Sequence, residues 1–333
     1  MDTSDIIRIL AHWGEIPQEI KIVRDVYRIK TSNGLRCLKE GRKNIHRVQF
    51  MMDGMNYVKS RSFTDMVCCI PAQDGSMAVP YKNSYFFLQE WVEGSELDYL
   101  NQEDMLLAAE TIGRFHRASI GFTPKQGYEA KNKLGKWPKK LKEKRLDLKR
   151  YISIANEKDE PGNFDRKVIL FSDWLLSHSR ESIAKLNNSH YQELVDEARD
   201  WGSLVHGDTA ARNFIRLKNR MWLIDFDAIA LDVNVTDLWR LLRRTLSRVG
   251  WDLSLAEQIL NAYNKYVPVD SRHREVLGAF LQFPEIPWRI IREYYEREDK
   301  TVHHELYLTE RLENYLDQHR EIDSLIKEFT KKL

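Results

Sequence analysis

The chain has 333 residues, of which 42% are hydrophobic and 31% charged, the balance of a soluble globular protein long enough for one two-lobed domain or two small ones. Its net charge of +2 gives no electrostatic footprint for nucleic acid, and no uninterrupted apolar stretch approaches the roughly 20 residues that a membrane helix needs. Cys37, Cys68 and Cys69 form no C-x-x-C pair for zinc; they read as buried free thiols of a reducing compartment. Asp2 and Asp5 interrupt the first fourteen residues, which therefore do not read as a secretory signal, and synthesis in the cytoplasm is expected.

In chain order, Ser4–Trp13 predicts a short helix capped by Thr3 or Ser4. Three strands follow at Ile20–Val23, Val26–Lys30 and Leu35–Lys39, the last two joined by the turn Thr31-Ser32-Asn33-Gly34. The helix Ile45–Lys59 contains one acid, Asp53. Asp65–Ile70 and Ser84–Gln89 read as further strands around the loop Pro71–Lys82, and Gln89–Gly94 leaves the second as a connector. Glu103–Ser119 places Leu106, Ala109, Ile112, Phe115 and His116 at helical spacing, with His116 read as a core histidine.

Tyr128–Arg150 is crowded with lysine and arginine and makes no clean apolar stripe. It reads as a solvated helical insertion, with a docking surface for an acidic or phosphorylated partner as the sharper alternative. Phe164–Lys185 and Tyr191–Asp200 are amphipathic helices leading to the most informative stretch. Helices then recur at Leu238–Val249, capped by Thr236 or Asp237, and at Leu255–Tyr266, Ser271–Gln282, Trp288–Glu298 and Thr301–Lys331.

The informative stretch is Val205–Asp227, VHGDTAARNFIRLKNRMWLIDFD. It predicts a strand end, a loop, a strand Phe214–Leu217, a polar turn Lys218-Asn219-Arg220 and a return strand Met221–Asp227, on which Asp225 and Asp227 share a face at period 2. The spacing suits phosphoryl transfer. One carboxylate must orient a hydroxyl and take its proton; a second carboxylate and an amide oxygen must hold Mg²⁺ against nucleotide phosphates. His206-Gly207-Asp208-x-x-x-x-Asn213 followed by Asp225-Phe226-Asp227 supplies these in order, with Asp208 as base and Asn213 and Asp225 as metal ligands.

These motifs resemble the aminoglycoside phosphotransferase and choline kinase superfamily. Leu134–Trp137, Ile224–Arg243, Phe283-Pro284 and Tyr294-Tyr295 extend the resemblance to the spore-coat kinase-like, CotS-type family of endospore-forming bacteria. The resemblance implies an α+β, bilobal protein-kinase-like fold: a small antiparallel β-sheet N-lobe over residues 1–92 and a larger, mostly helical C-lobe over 93–333 that carries the catalytic hairpin. It implies an ATP- and Mg²⁺-dependent phosphotransferase acting on a hydroxyl-bearing acceptor, small molecule or protein, with other coat proteins as partners and assembly into the coat after cytoplasmic synthesis. The alternatives are a nucleotide-binding pseudokinase and a purely structural coat component.

By the same resemblance Lys39 reaches the nucleotide phosphates, the connector around Glu90 and Val92 reads the adenine edge, and Trp91 walls that pocket or packs between lobes. His206 and Asp227 support the catalytic loop and Asp237 braces it. Two departures stand out. The turn Val23-Arg24-Asp25-Val26 has no glycine with which to drape over phosphates, leaving Arg24 as the candidate substitute. The helix after Lys39 has no glutamate, so Asp53 is the expected ion-pair partner of Lys39.

Overall fold

The computed structural model describes residues 1–41, 44–299 and 301–331. It divides into two compact units. The first comprises Met1–Asn132, Trp201–Asp232 and Lys265–Val267; the second comprises Lys133–Asp200, Val233–Asn264 and Pro268–Leu333. Among the described residues no helix is long and apolar enough to cross a membrane.

The first unit opens with α1 (Thr3–Leu10). Its cap is Asp2, one residue earlier than expected: that carboxylate accepts the Asp5 N–H at 2.8 Å. The chain then forms β1 (Pro17–Val23), β2 (Val26–Thr31), β3 (Gly34–Glu40), α2 (Ile45–Ser60), β4 (Cys69–Ile70), β5 (Val79–Tyr81), β6 (Ser84–Glu90), β7 (Ser95–Glu96) and α3 (Gln102–Ser119). After the second unit's first helices it resumes with β8 (Leu204–Val205), β9 (Phe214–Leu217), β10 (Arg220–Leu223) and β11 (Ala230–Leu231).

An antiparallel sheet runs β1-β2-β3-β6-β4, with β5 also paired to β6. Gly34 takes the positive φ of 112° that closes the β2–β3 turn. Strand alternation then assigns the faces. Ile29, Leu38 and Leu88 are fully buried in one cluster with Ile6, Ile9 and Leu10 of α1, each burial contributing about 1.5–3 kcal/mol. Cys37 and Lys39, flanking Leu38 in sequence, fall on the opposite face.

The strand expected over Asp65–Ile70 is confined to its last two residues. Asp65–Val67 instead docks on β10: Leu223 N–H donates to Asp65 at 2.9 Å and Val67 N–H donates back to Leu223 at 3.2 Å. The cause is the carboxylate of Asp65, 2% exposed, held by Arg114 at 2.9 Å and by Arg220.

The second unit is helical among its described residues: α4 (Trp137–Asn156), α5 (Asn163–Leu170), α6 (Ser172–Asn188), α7 (Tyr191–Trp201), α8 (Val235–Val249), α9 (Leu253–Asn264), α10 (Ser271–Gln282), α11 (Glu285–Glu296), α12 (Val302–Leu316) and α13 (His319–Lys331). The single helix expected over Phe164–Lys185 is two, broken at Phe171, which leaves helical geometry at φ −100° and ψ 11°. Trp137, Trp239 and Phe280 pack with ring centroids 5.0–5.4 Å apart. Asp237 does not cap α8, which begins at Val235; it lies fully buried in the first turn, 3.2 Å from Arg240.

Candidate active site

The site is built within the first unit from the loop between β8 and β9, the loop after β10, and β3. His206 is fully buried. Its Nδ1 accepts the Asp208 N–H at 3.3 Å and its Nε2 faces the Ile224 carbonyl at 3.0 Å. One nitrogen accepts and the other meets an acceptor, so the proton sits on Nε2, and the imidazole ties the two loops together. Gly207 between them is required twice over. Its φ is +83°, and a Cβ would stand 2.4 Å from the Ala228 carbonyl oxygen.

The Asp208 carboxylate is oriented by two donors. Asn213 Nδ2 donates to its Oδ2 at 3.1 Å and to its main-chain carbonyl at 2.8 Å, and Arg212 donates to Oδ2 at 3.1 Å. Asn213 is 2% exposed. With its Nδ2 committed to Asp208, the amide presents its oxygen as the remaining polar atom.

The return strand ends at Leu223, four residues short of the expected Asp227. Asp225 adopts left-handed geometry at φ 63° and ψ 69°, and Phe226–Ala228 form a 3₁₀ turn. Such a conformation is strained for a non-glycine residue. It is held because Phe226 is buried against Phe115 and His206, at 5.9 and 4.9 Å between ring centroids. The turn brings both carboxylates onto one ammonium: Lys39 Nζ lies 2.7 Å from Asp225 and 3.1 Å from Asp227. Burial of Lys39 opposes its charge. The negative fields of Asp227 and Asp225 outweigh that burial and hold its pKa above the ordinary lysine value.

Lys39, Arg212, Asn213, Asp225 and Asp227 line one cleft of about 670 Å³, which also takes in Cys37, Glu90, Trp91, Val92 and the β1–β2 turn; Asp208 is not part of that lining. Burial pushes the Cys37 thiol up to about 12, which keeps it an unreactive part of the wall. Arg24 occupies the turn at φ 55°, and its guanidinium is held 2.6 Å from Glu96. Trp91 lies under the Arg28 guanidinium, 5.7 Å from its ring centroid.

Asp53 does not reach Lys39. Its carboxylate pairs with Lys125 at 2.9 Å, because Lys39 is already neutralised by Asp225 and Asp227. The α2 residue Arg47, which sequence reasoning passed over, meets the backbone of the loop after β10. Its guanidinium donates to the carbonyls of Asp227, at 3.4 Å, and Ile229. Asp65 was also missed; an acid at the start of an otherwise apolar segment was the available signal.

Two carboxylates converge on one cationic atom, and the Asn213 amide lines the same cleft. Hard oxygen donors of this kind fit Mg²⁺, which completes its shell from water and phosphate. Among the described residues no cluster of three or more His, Cys, Asp or Glu side chains could hold a metal.

The family model described as Spore coat putative kinase YutH matches residues 13–329. The chain belongs to this family. The YutH-type chain is 23% identical over 316 residues to spore coat protein S of Bacillus subtilis (strain 168), covering 92% of this chain and 90% of that one. Its fold is similar to an aminoglycoside phosphotransferase from Alicyclobacillus acidocaldarius, with a TM-score of 0.86 at 19% identity over 98% of this chain and 95% of the other. Spectinomycin phosphotransferase APH(9)-Ia, solved with ADP and spectinomycin, aligns with a TM-score of 0.69 at 11% identity over 100% and 99% of the two chains. The YutH-type protein therefore has the α+β, protein-kinase-like fold, an antiparallel sheet combined with many helices.

Proposed function

We propose that the protein is an ATP- and Mg²⁺-dependent phosphotransferase associated with the spore coat, acting on a hydroxyl-bearing acceptor. The supporting observation is the convergence of Lys39 with Asp225 and Asp227 at 2.7 and 3.1 Å, in a cleft shared with Asn213. In this reading Lys39 binds phosphate oxygens as a point charge. Asp225 and the Asn213 oxygen hold Mg²⁺, and Asp227 stands beside them. Glu90 and Val92 border the adenine end. Bound Mg²⁺ would neutralise charge on the transferring phosphoryl group. Asp208, oriented by Asn213 and Arg212, positions the acceptor hydroxyl and takes its proton.

A nucleotide-binding coat component without transfer is the second reading, favoured by the capture of Asp53 on Lys125. Unfolding midpoints with ATP, with and without Mg²⁺, separate both readings from a purely structural role. A Mg²⁺-dependent rise, lost in Asp225→Ala, supports nucleotide binding; an ATP-insensitive parent overturns both. Transfer then separates the two. Asp208→Asn is expected to keep Mg·ATP binding while turnover falls by roughly 10²–10⁴-fold. Equal turnover in variant and parent would remove Asp208 as the base.

A further inference from the structure

The second unit contains a buried concentration of positive charge that the phosphotransfer reading does not use. Lys144 of α4, Arg243 of α8 and Arg289 of α11 gather around Glu285, and Arg240 of α8 stands near Lys144, 3.2 Å from the buried Asp237. Glu285 is 1% exposed. Its carboxylate bonds Lys144 at 2.5 Å and Arg289 at 2.9 Å, while Arg243 is held off at 3.6 Å. Among the described residues Glu285 is the one carboxylate within ion-pair distance of Lys144 and Arg243. Arg243 is 3% exposed, and its Nε and Nη1 have no hydrogen-bond partner. Nearby rings add no anion: Arg243 lies over Trp239 at 4.9 Å and Lys144 over Trp288 at 4.2 Å.

A guanidinium does not discharge by losing its proton, and a buried charge without a full partner is strongly destabilising. Two buried carboxylates, Glu285 and Asp237, face four cations and leave the Arg243 donors unmet, so the arrangement calls for a further anion. We infer that Lys144, Arg240 and Arg243 form a binding site for the phosphate group of a small phosphorylated ligand. Three donor groups approaching from two helices suit a tetrahedral group with several oxygens better than a planar carboxylate. Arg243 is 3% exposed, a depth that favours a small molecule over a chain segment. Half-exposed Arg289 and partly buried Lys140 form the solvent edge. Burial and the neighbouring cations also press the Lys144 pKa well below its ordinary value, a cost that an arriving anion relieves.

The test uses the full chain and inorganic phosphate, exchanged for chloride at constant ionic strength, with unfolding midpoints and titration calorimetry as readouts. Phosphate is expected to raise the midpoint of the parent and of Lys39→Met by about 2–4 °C. Arg243→Met should abolish that rise and, without phosphate, unfold no earlier than the parent, because it removes a buried charge whose Nε and Nη1 hydrogen bonds are unmet. Lys144→Met gives a second variant, with the same loss of response expected. A parent that responds equally to chloride and phosphate overturns the inference. So does an Arg243→Met protein that is destabilised yet keeps the full phosphate shift, which would make the cluster structural. A response lost in Lys39→Met and kept in Arg243→Met would assign phosphate to the nucleotide cleft and overturn it as well.

Discussion

Lys39 is one side chain meeting two carboxylates, and its titration should be readable. Its pKa is raised in the folded chain, because Asp227 and Asp225 overcome the cost of burying it. A raised lysine pKa contributes stability that is fully present below the unfolded value, about 10.4, and is lost as pH rises through the folded value. The difference in denaturant midpoint between parent and Lys39→Met should therefore stay constant from pH 6 to 9 and change only above about pH 10. A difference that drifts between pH 6 and 9 would show that Lys39 is not held by these carboxylates. Lys39, Asn213 and Asp225 could be expected in one cleft, where they lie, because the proposed phosphoryl transfer calls for their chemistry in that order along the chain. The contacts of Arg47 and Asp53 were not legible. Arg47 meets the carbonyl of a residue 180 positions away, and Asp53 is taken by Lys125, from a segment whose path no local pattern reveals.

Among the elements, α4 carries the basic segment and has two unlike sides. Lys139, Lys142 and Lys149 are exposed, whereas Lys144 turns inward to Glu285. The expectation of a solvated insertion thus holds for one side of the helix and fails for the other; charge density along the sequence carries no information about which lysine meets a buried acid. Replacing Lys139, Lys142 and Lys149 together with Gln should leave the unfolding midpoint within about 1 °C, since exposed charges contribute about 0–1 kcal/mol per pair, and should leave the phosphate response intact. Lys144→Gln alone should remove that response. A triple variant that loses it would move the binding surface to the outer side of α4. Helix ends were legible where punctuation was strong. α10 matches its expected span Ser271–Gln282 because Asp270 accepts the His273 N–H at 3.1 Å and Pro284 lies just beyond. The break at Phe171 has no Gly or Pro to announce it.

For the whole molecule, the family and fold were legible because the motif stretch is folded locally: β9, β10 and the two loops that carry Asp208 and Asp225 lie within 24 consecutive residues, 204–227. The division into compact units was harder to read, since the first unit is assembled from three separated segments of chain. That division makes the two proposed ligands distinguishable in one measurement. Mg·ATP should slow backbone hydrogen exchange in β1, β2, β3 and the loops at 206–213 and 224–228, all in the first unit. Inorganic phosphate without nucleotide should slow it in α4, α8 and α11, all in the second. Ligands protect amides by stabilising the closed state they bind, so each map reports where its ligand is held. If phosphate protects β3 and leaves α8 unchanged, its effect belongs to Lys39, and the cationic cluster around Arg243 is a feature of folding. If Mg·ATP leaves 224–228 unchanged, Asp225 does not hold the metal, and the phosphotransfer reading falls independently of the phosphate site.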